Sequence, residues 1–279
     1  MPLAVLPLVL VAAIAHASWN AMLKGSENPL ALATRAVTIG AAISFPFVAS
    51  VWLAQGRPAL PPLGLLLAFI SGGLELVYFI FLSAAYQRGE LSVVYPIARG
   101  TAPLLAVLVG LVLLGERLAG AAFVGIVFLL LGIWAVRRPV PAGSALIPAL
   151  LTGVMIAAYT SVDRIGVRLG PPWLYGWLLW FFEAGFLLLY TRLRAAVGFR
   201  LGEDLGRSVI VGILMTGAYF LILFALSLAP LAIVAPLRES AIVLVTAWGI
   251  WRLGERRGAR LRLVGALAIV CGIALLAFN

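Results

Sequence analysis

Apolar residues run through this chain in long blocks, not in the stripe of a soluble helix or the alternation of a half-buried strand. A bilayer core takes about 20 mostly apolar residues per helix, within a range of about 17–25. By that measure ten segments qualify: residues 3–23, 31–54, 62–86, 91–114, 118–136, 145–167, 173–191, 206–228, 231–252 and 261–278. Short breaks rich in turn residues or charge separate them, among them KGSENP, QGRPALPP, QRGE, GERL, RRPVPAGS and RLGPP. The longest break, residues 192–207, is too small to fold as a domain. Any chemistry therefore falls among the helices or at their ends. The first segment closes on Ala15-His16-Ala17, the small-x-small form of a leader-cleavage site, yet no basic residue precedes it. It reads as a retained helix, because its counterpart in the second half is also one.

The second half echoes the first. Pro96 and Pro236, Gly125 and Gly265, and Gly132 and Gly272 are each 140 residues apart. LLGER at 113–117 returns as RLGER at 252–256, with a slip of one residue. The chain divides into two units, 1–139 and 140–279, each of five helices, within one membrane domain. Five is odd, so the units enter the membrane in opposite senses. Many secondary transporters are built as such inverted repeats and bind their substrate near the midplane between them. The expected fold is an all-α integral membrane protein, ten transmembrane helices as two inverted five-helix repeats around a central cavity.

Composition excludes the soluble alternatives. Of 279 residues, 64% are hydrophobic and 11% charged, and mean hydropathy is +1.14, whereas a soluble domain carries about 25% charged residues. A net charge of +10 does not point to nucleic acid, because the basic residues sit in short loops between spans. Loops after the odd-numbered helices hold thirteen of them; the opposite side holds Arg57, Arg117, Arg164 and Arg168. The positive-inside rule then puts both termini outside. Cys271 is the one cysteine, which rules out a disulfide within the chain and a cysteine metal cluster.

Three basic residues fall within the spans. Arg35, near a helix end, can snorkel to the interface. Arg99 and Arg238 lie seven or eight residues into the fourth and ninth helices, where a charge costs about 2.5–3.5 kcal/mol and so faces a cavity or a partner. Glu75, Glu183 and Glu239 are the buried acids. Pairing Arg99 with Glu239, or Arg238 with Glu75, would brace the two halves. Pro96 and Pro236 remove a backbone donor in the same two helices and are candidate hinges. His16, Trp19, Asn20 and Lys24 share one face of the first helix; Glu75, Tyr78 and Tyr86 share one of the third; Thr152, Tyr159 and Asp163 one of the sixth; Ser92, Tyr95 and Arg99 one of the fourth. Trp19 and Tyr78, with polar neighbours, suit a cavity wall, while Trp173 and Trp177 suit the interfacial belt. Glu75 and His16 are candidates for proton coupling.

No H-E-x-x-H, G-x-S-x-G or P-loop is present, so an enzyme is not expected, nor a metal or cofactor. The two Gly-Glu-Arg turns are accounted for by helix termination and local ion pairing.

Ten helices in two five-helix repeats, LGER closing the fourth and ninth, and glycine-rich fifth and tenth helices resemble the EamA family of the drug/metabolite transporter superfamily. The resemblance implies helices one, three, four, six, eight and nine around a central cavity, with five and ten at its outer edge. It implies transport of amino acids or other small metabolites and no enzymatic activity. Arg99, Arg238 and Glu239 would line the cavity together with the HASWNAMLK face of the first helix. Members generally keep both termini cytoplasmic, against the loop arginines. The expected function is secondary transport, by alternating access, of an amino acid or similar polar metabolite outward across a bacterial inner membrane. Arg99, Arg238, Glu239, Trp19, Tyr78, Tyr95, Tyr159 and Asn20 would bind it. Alternatives are an anion exchanger for sugar phosphates or nucleotide sugars and, further off, a lipid flippase or lipid-modifying enzyme. The expected partners are the solute, the bilayer and a second copy through helices five and ten.

Overall fold

The computed structural model describes residues 4–89, 91–118, 120–136, 143–194, 200, 202–240 and 259–277. Among them the chain is helical throughout: α1 Val5–Lys24, α2 Pro29–Ala54, α3 Pro62–Arg88, α4 Leu91–Leu108, α5 Gly120–Val136, α6 Leu146–Gly166, α7 Pro172–Leu193, α8 Leu205–Leu228, α9 Leu231–Leu237 and α10 Ala259–Ala277. Prolines open several of these. Pro29, Pro62 and Pro172 occupy a first helical position, where the missing N–H costs nothing. Asn28 caps α2 by accepting the Ala31 N–H at 3.1 Å.

Among the described residues six helices are long and apolar enough to cross a bilayer: α1, α2, α3, α6 with the turn before it, α7 and α8. The apolar stretches of α4, α5 and α10 are shorter, Ile97–Leu113, Gly120–Ala135 and Leu263–Leu275. Beyond α9 the backbone tightens into a 3₁₀ turn at Arg238–Ser240, two residues past Pro236, whose missing N–H cannot join the α-helical ladder. The remainder of the expected ninth span, 241–252, and the arginine-rich segment that follows to 258 lie outside the described residues.

The polarity is that of a soluble protein turned inside out. Phe47 is 69% exposed and Trp134 74% exposed, while Arg99, Arg238, Glu239, Glu75, Asp163 and Glu183 are buried. A continuous apolar exterior of this kind suits lipid, not water. Helices in lipid gain little from further apolar burial, so close approach at small residues carries the packing. A Cβ on Gly132 of α5 would lie 2.6 Å from the Gly265 carbonyl oxygen of α10, and a Cβ on Gly272 would lie 2.6 Å from that of Gly125. The two contacts mirror each other. They consume the glycine faces of α5 and α10 within the chain, leaving Phe123, Val124, Leu263 and Leu267 outward. Gly72 and Gly212 do the same elsewhere, bringing α3 onto the Leu179–Glu183 backbone of α7 and α8 onto the Ala36–Gly40 backbone of α2.

The neighbours form a regular set. α1 packs on α8 and α6 on α3; α2 packs on α8 and α7 on α3; α4 packs on α6 and α9 on α1. α2 meets α7, α4 meets α9, and α5 meets α10.

Candidate functional site

Four helices bring charge to the middle of the molecule. From α4, Arg99 reaches Glu239, just beyond α9, with Nη1 3.2 Å from Oε1. Both side chains are almost fully buried, and their positions are 140 residues apart. One of the two braces offered by the sequence is thus present; the Arg238–Glu75 pairing is not among the ion pairs. Arg238 instead donates to the Tyr159 hydroxyl at 3.3 Å, and Glu239 Oε2 has no hydrogen-bond partner among the described residues. Taking two ions from water costs several kcal/mol each, so their pairing offsets a real penalty.

Rings surround this pair. Tyr78 packs on Tyr159 with centroids 5.6 Å apart, and Tyr159 on Tyr219 at 5.8 Å. Phe79 links Tyr78 at 4.7 Å to Trp19 at 6.3 Å. Trp19 Nε1 donates to His16 Nδ1 at 3.3 Å, so that nitrogen acts as the acceptor. Asn20 Nδ2 donates to the His16 carbonyl at 2.8 Å, and Asn20 Oδ1 accepts from the Tyr86 hydroxyl at 2.8 Å. The polar face expected on α1 therefore turns inward and ties α1 to α3. Tyr95 and Pro96 lie within α4, and their side chains are outside the described residues.

A void of about 10 Å³, roughly one water molecule, is lined by Arg238 and Glu239 together with Ala102, Ala106, Ile156 and Val234. Arg238 and Glu239 therefore line one small void together.

Some expectations need correction. Arg35 is buried against protein, donating through Nε to Ser208 Oγ at 3.2 Å and through Nη1 to the Arg200 carbonyl at 3.2 Å, in the loop before α8. Trp173 is buried rather than in an exposed belt, and Trp177 donates to the Ala41 carbonyl at 3.1 Å. Glu116, in the first LGER, is not engaged locally. Its Oε1 accepts from the Leu231 N–H at 2.8 Å and from Arg164 Nε at 3.0 Å, and its Oε2 accepts from the Ala232 N–H at 3.0 Å. It caps the helix of the other half, and glycine at 110 makes room for it: a Cβ there would fall 2.5 Å from Oε2.

Other functional groups had weaker signals. Asp163 shares the Tyr159 face of α6, yet its partners, the hydroxyls of Tyr175 at 2.7 Å and Tyr219, come from α7 and α8. No spacing in the chain announces them. Lys24 and Arg164 are also 140 apart and do matching work in the two halves of the chain. Lys24 donates to the carbonyls of Tyr86 and Gly89 at the end of α3, and Arg164 to that of Leu226 at the end of α8.

Residues 3–138 match the model of the EamA-like transporter family. The chain belongs to that family. Its place in the drug/metabolite transporter superfamily follows, and with its apolar helices it is a multi-pass membrane transporter. A solved structure titled "Crystal structure of protein" is 20% identical, covers 97% of this EamA protein and 95% of its own chain, and superposes with a TM-score of 0.71. That likeness supports the fold alone. No curated protein matches the sequence.

Proposed function

We propose that this EamA transporter moves an amino acid or similar small zwitterion outward across a bacterial inner membrane, by alternating access between two inverted five-helix repeats, residues 1–139 and 140–279. The neighbour set supports the repeats. Adding five to each helix number, counted around the ten, turns α1–α8 into α6–α3, α2–α8 into α7–α3 and α4–α6 into α9–α1, and returns α2–α7, α4–α9 and α5–α10 to themselves. Two like units related by a two-fold axis would pair in that way.

One observation carries the substrate class: Arg238 and Glu239 line the same void as several small apolar side chains. A guanidinium takes a carboxylate, an adjacent carboxylate takes an ammonium, and Ala102, Ala106 and Val234 leave space for a modest apolar body. Arg99 is matched by Glu239, so the centre does not offer two uncompensated arginines to a phosphate. We assign Trp19, Asn20, Tyr78, Tyr95 and Tyr159 to solute binding once the halves part, with Pro96 and Pro236 as hinges. A void of about 10 Å³ is smaller than an amino acid, so on this reading the halves part to admit the solute.

The test is counterflow in proteoliposomes, with labelled amino acids in one arm and labelled sugar phosphates in the other. Amino-acid exchange lost in Arg238→Ala, with detergent thermal stability kept, is the expected result. Exchange of sugar phosphates alone would replace this reading with the anion exchanger. Undiminished amino-acid exchange by Arg238→Ala would remove Arg238 from the site.

A further inference from the structure

Away from the Arg99–Glu239 pair, the interior wall is built from acids. Glu183, on α7, is fully buried, and neither of its carboxyl oxygens has a hydrogen-bond partner among the described residues. It sits where α3 crosses α7, its backbone nitrogen 2.9 Å from where a side chain on Gly72 would begin. Glu75 lies three residues beyond Gly72 on the same helix, α3, and is itself buried. Among the described residues Glu75 Oε1 is also without a partner, as is the fully buried Ser71 hydroxyl one turn earlier.

Asp163 differs from its neighbours. Tyr175 and Tyr219 both donate to it, and two charge-assisted bonds of this kind hold an anion well. Nothing does this for Glu183. The groups that face the two glutamates are Glu75 from α3, Asp163 from α6, Tyr175 on α7 itself and Tyr219 from α8, with Arg238 acting on Glu75 from the centre. The cation of α2, Arg35, is engaged with Ser208, Arg200 and Glu203. An unpaired carboxylate in such surroundings costs several kcal/mol, so Glu183 requires a small positive partner. Among the described residues no three acidic, histidine or cysteine side chains are set to hold a metal ion. A proton meets the need.

We propose that Glu183 and Glu75 form the proton-binding site that couples the cycle, one proton moving between their two carboxyl groups, with Glu183 holding it and Glu75 receiving it. This rests on the transport reading above and extends it to an acid on α7, outside the solute-binding wall. The step is a proton transfer between carboxyl groups, with no redox change.

Two measurements on the full chain separate this claim from the transport reading. The first is infrared difference spectroscopy of the protonated-carboxyl stretch during a pH titration of purified protein, which needs no solute. Glu183→Gln is expected to remove one titrating band, and Glu75→Gln to shift or remove it as well. The second is accumulation of a labelled mixture of the twenty amino acids in proteoliposomes under an imposed pH gradient. Glu183→Gln is expected to reduce accumulation to the level of empty vesicles while counterflow continues. If wild-type counterflow is absent, the transport reading fails and the infrared arm alone decides the site. A carboxyl spectrum unchanged in both variants, or accumulation undiminished in Glu183→Gln, would overturn the proposal. If Glu183→Gln does not fold, the Glu75→Gln spectrum decides by the same criterion.

Discussion

Arg99 and Glu239 occupy the same position in the two halves of the chain, one as a cation and one as an anion. If their attraction is what joins α4 to the segment after α9, exchanging them should preserve it. Either single reversal, Arg99→Glu or Glu239→Arg, leaves like charges buried together and should cost about 3–5 kcal/mol, the usual result of breaking such a pair. The double reversal should recover most of that. Thermal unfolding in detergent, read as a double-mutant cycle, checks it; purely additive losses would mean the two residues act independently. The pair was legible in the sequence as one of two possible braces, because charge is conspicuous in an apolar run. The Asp163 site was legible only in part. An aspartate on a polar face can be seen, but Tyr175 and Tyr219 belong to helices whose other aromatic residues face lipid or the core, and aromatic residues carry no mark of which way they turn.

At the scale of elements, the informative contact is the one Glu116 makes with α9. A helix start leaves backbone N–H groups without partners, and in a membrane they have no water to turn to. Glu116 satisfies two of them and Arg164 at once. Glu116→Ala should therefore destabilise the protein by about 1–3 kcal/mol through stranded donors, with Glu116→Gln milder because its amide oxygen can still accept. The order of melting temperatures, wild type above Gln above Ala, checks this; equal values would leave the cap without energetic weight. The LGER motif was visible, but reading it as a local turn missed its reach. The carboxylate crosses 115 residues of sequence to Leu231, and such a distance is invisible to local spacing.

For the whole molecule, the sequence anticipated far more. Ten helices, their order and the doubled glycines follow from hydropathy blocks and a period of 140 residues, signals that survive because lipid imposes the same demand on every span. What it could not reveal was that the void beside Arg238 and Glu239 holds only about 10 Å³, since the separation of two halves is set by packing summed over many side chains. The glycine contacts between α5 and α10 make the packing testable. Gly132→Leu would place a branched side chain where a backbone oxygen now lies, costing at least the ~1–3 kcal/mol typical of overpacking. A lower melting temperature, partly recovered by truncating Ile269, which also crowds the site, is the expected outcome.

Backbones that touch through missing side chains have little freedom to slide, because each carbonyl is seated against the other rod with no flexible atoms between. α5 and α10 are thus suited to act as a fixed post, about which the remaining eight helices would have to tilt. Whatever passes through the protein would then do so beside a stationary pillar, and the work of each turnover would fall on the joints at Pro96 and Pro236.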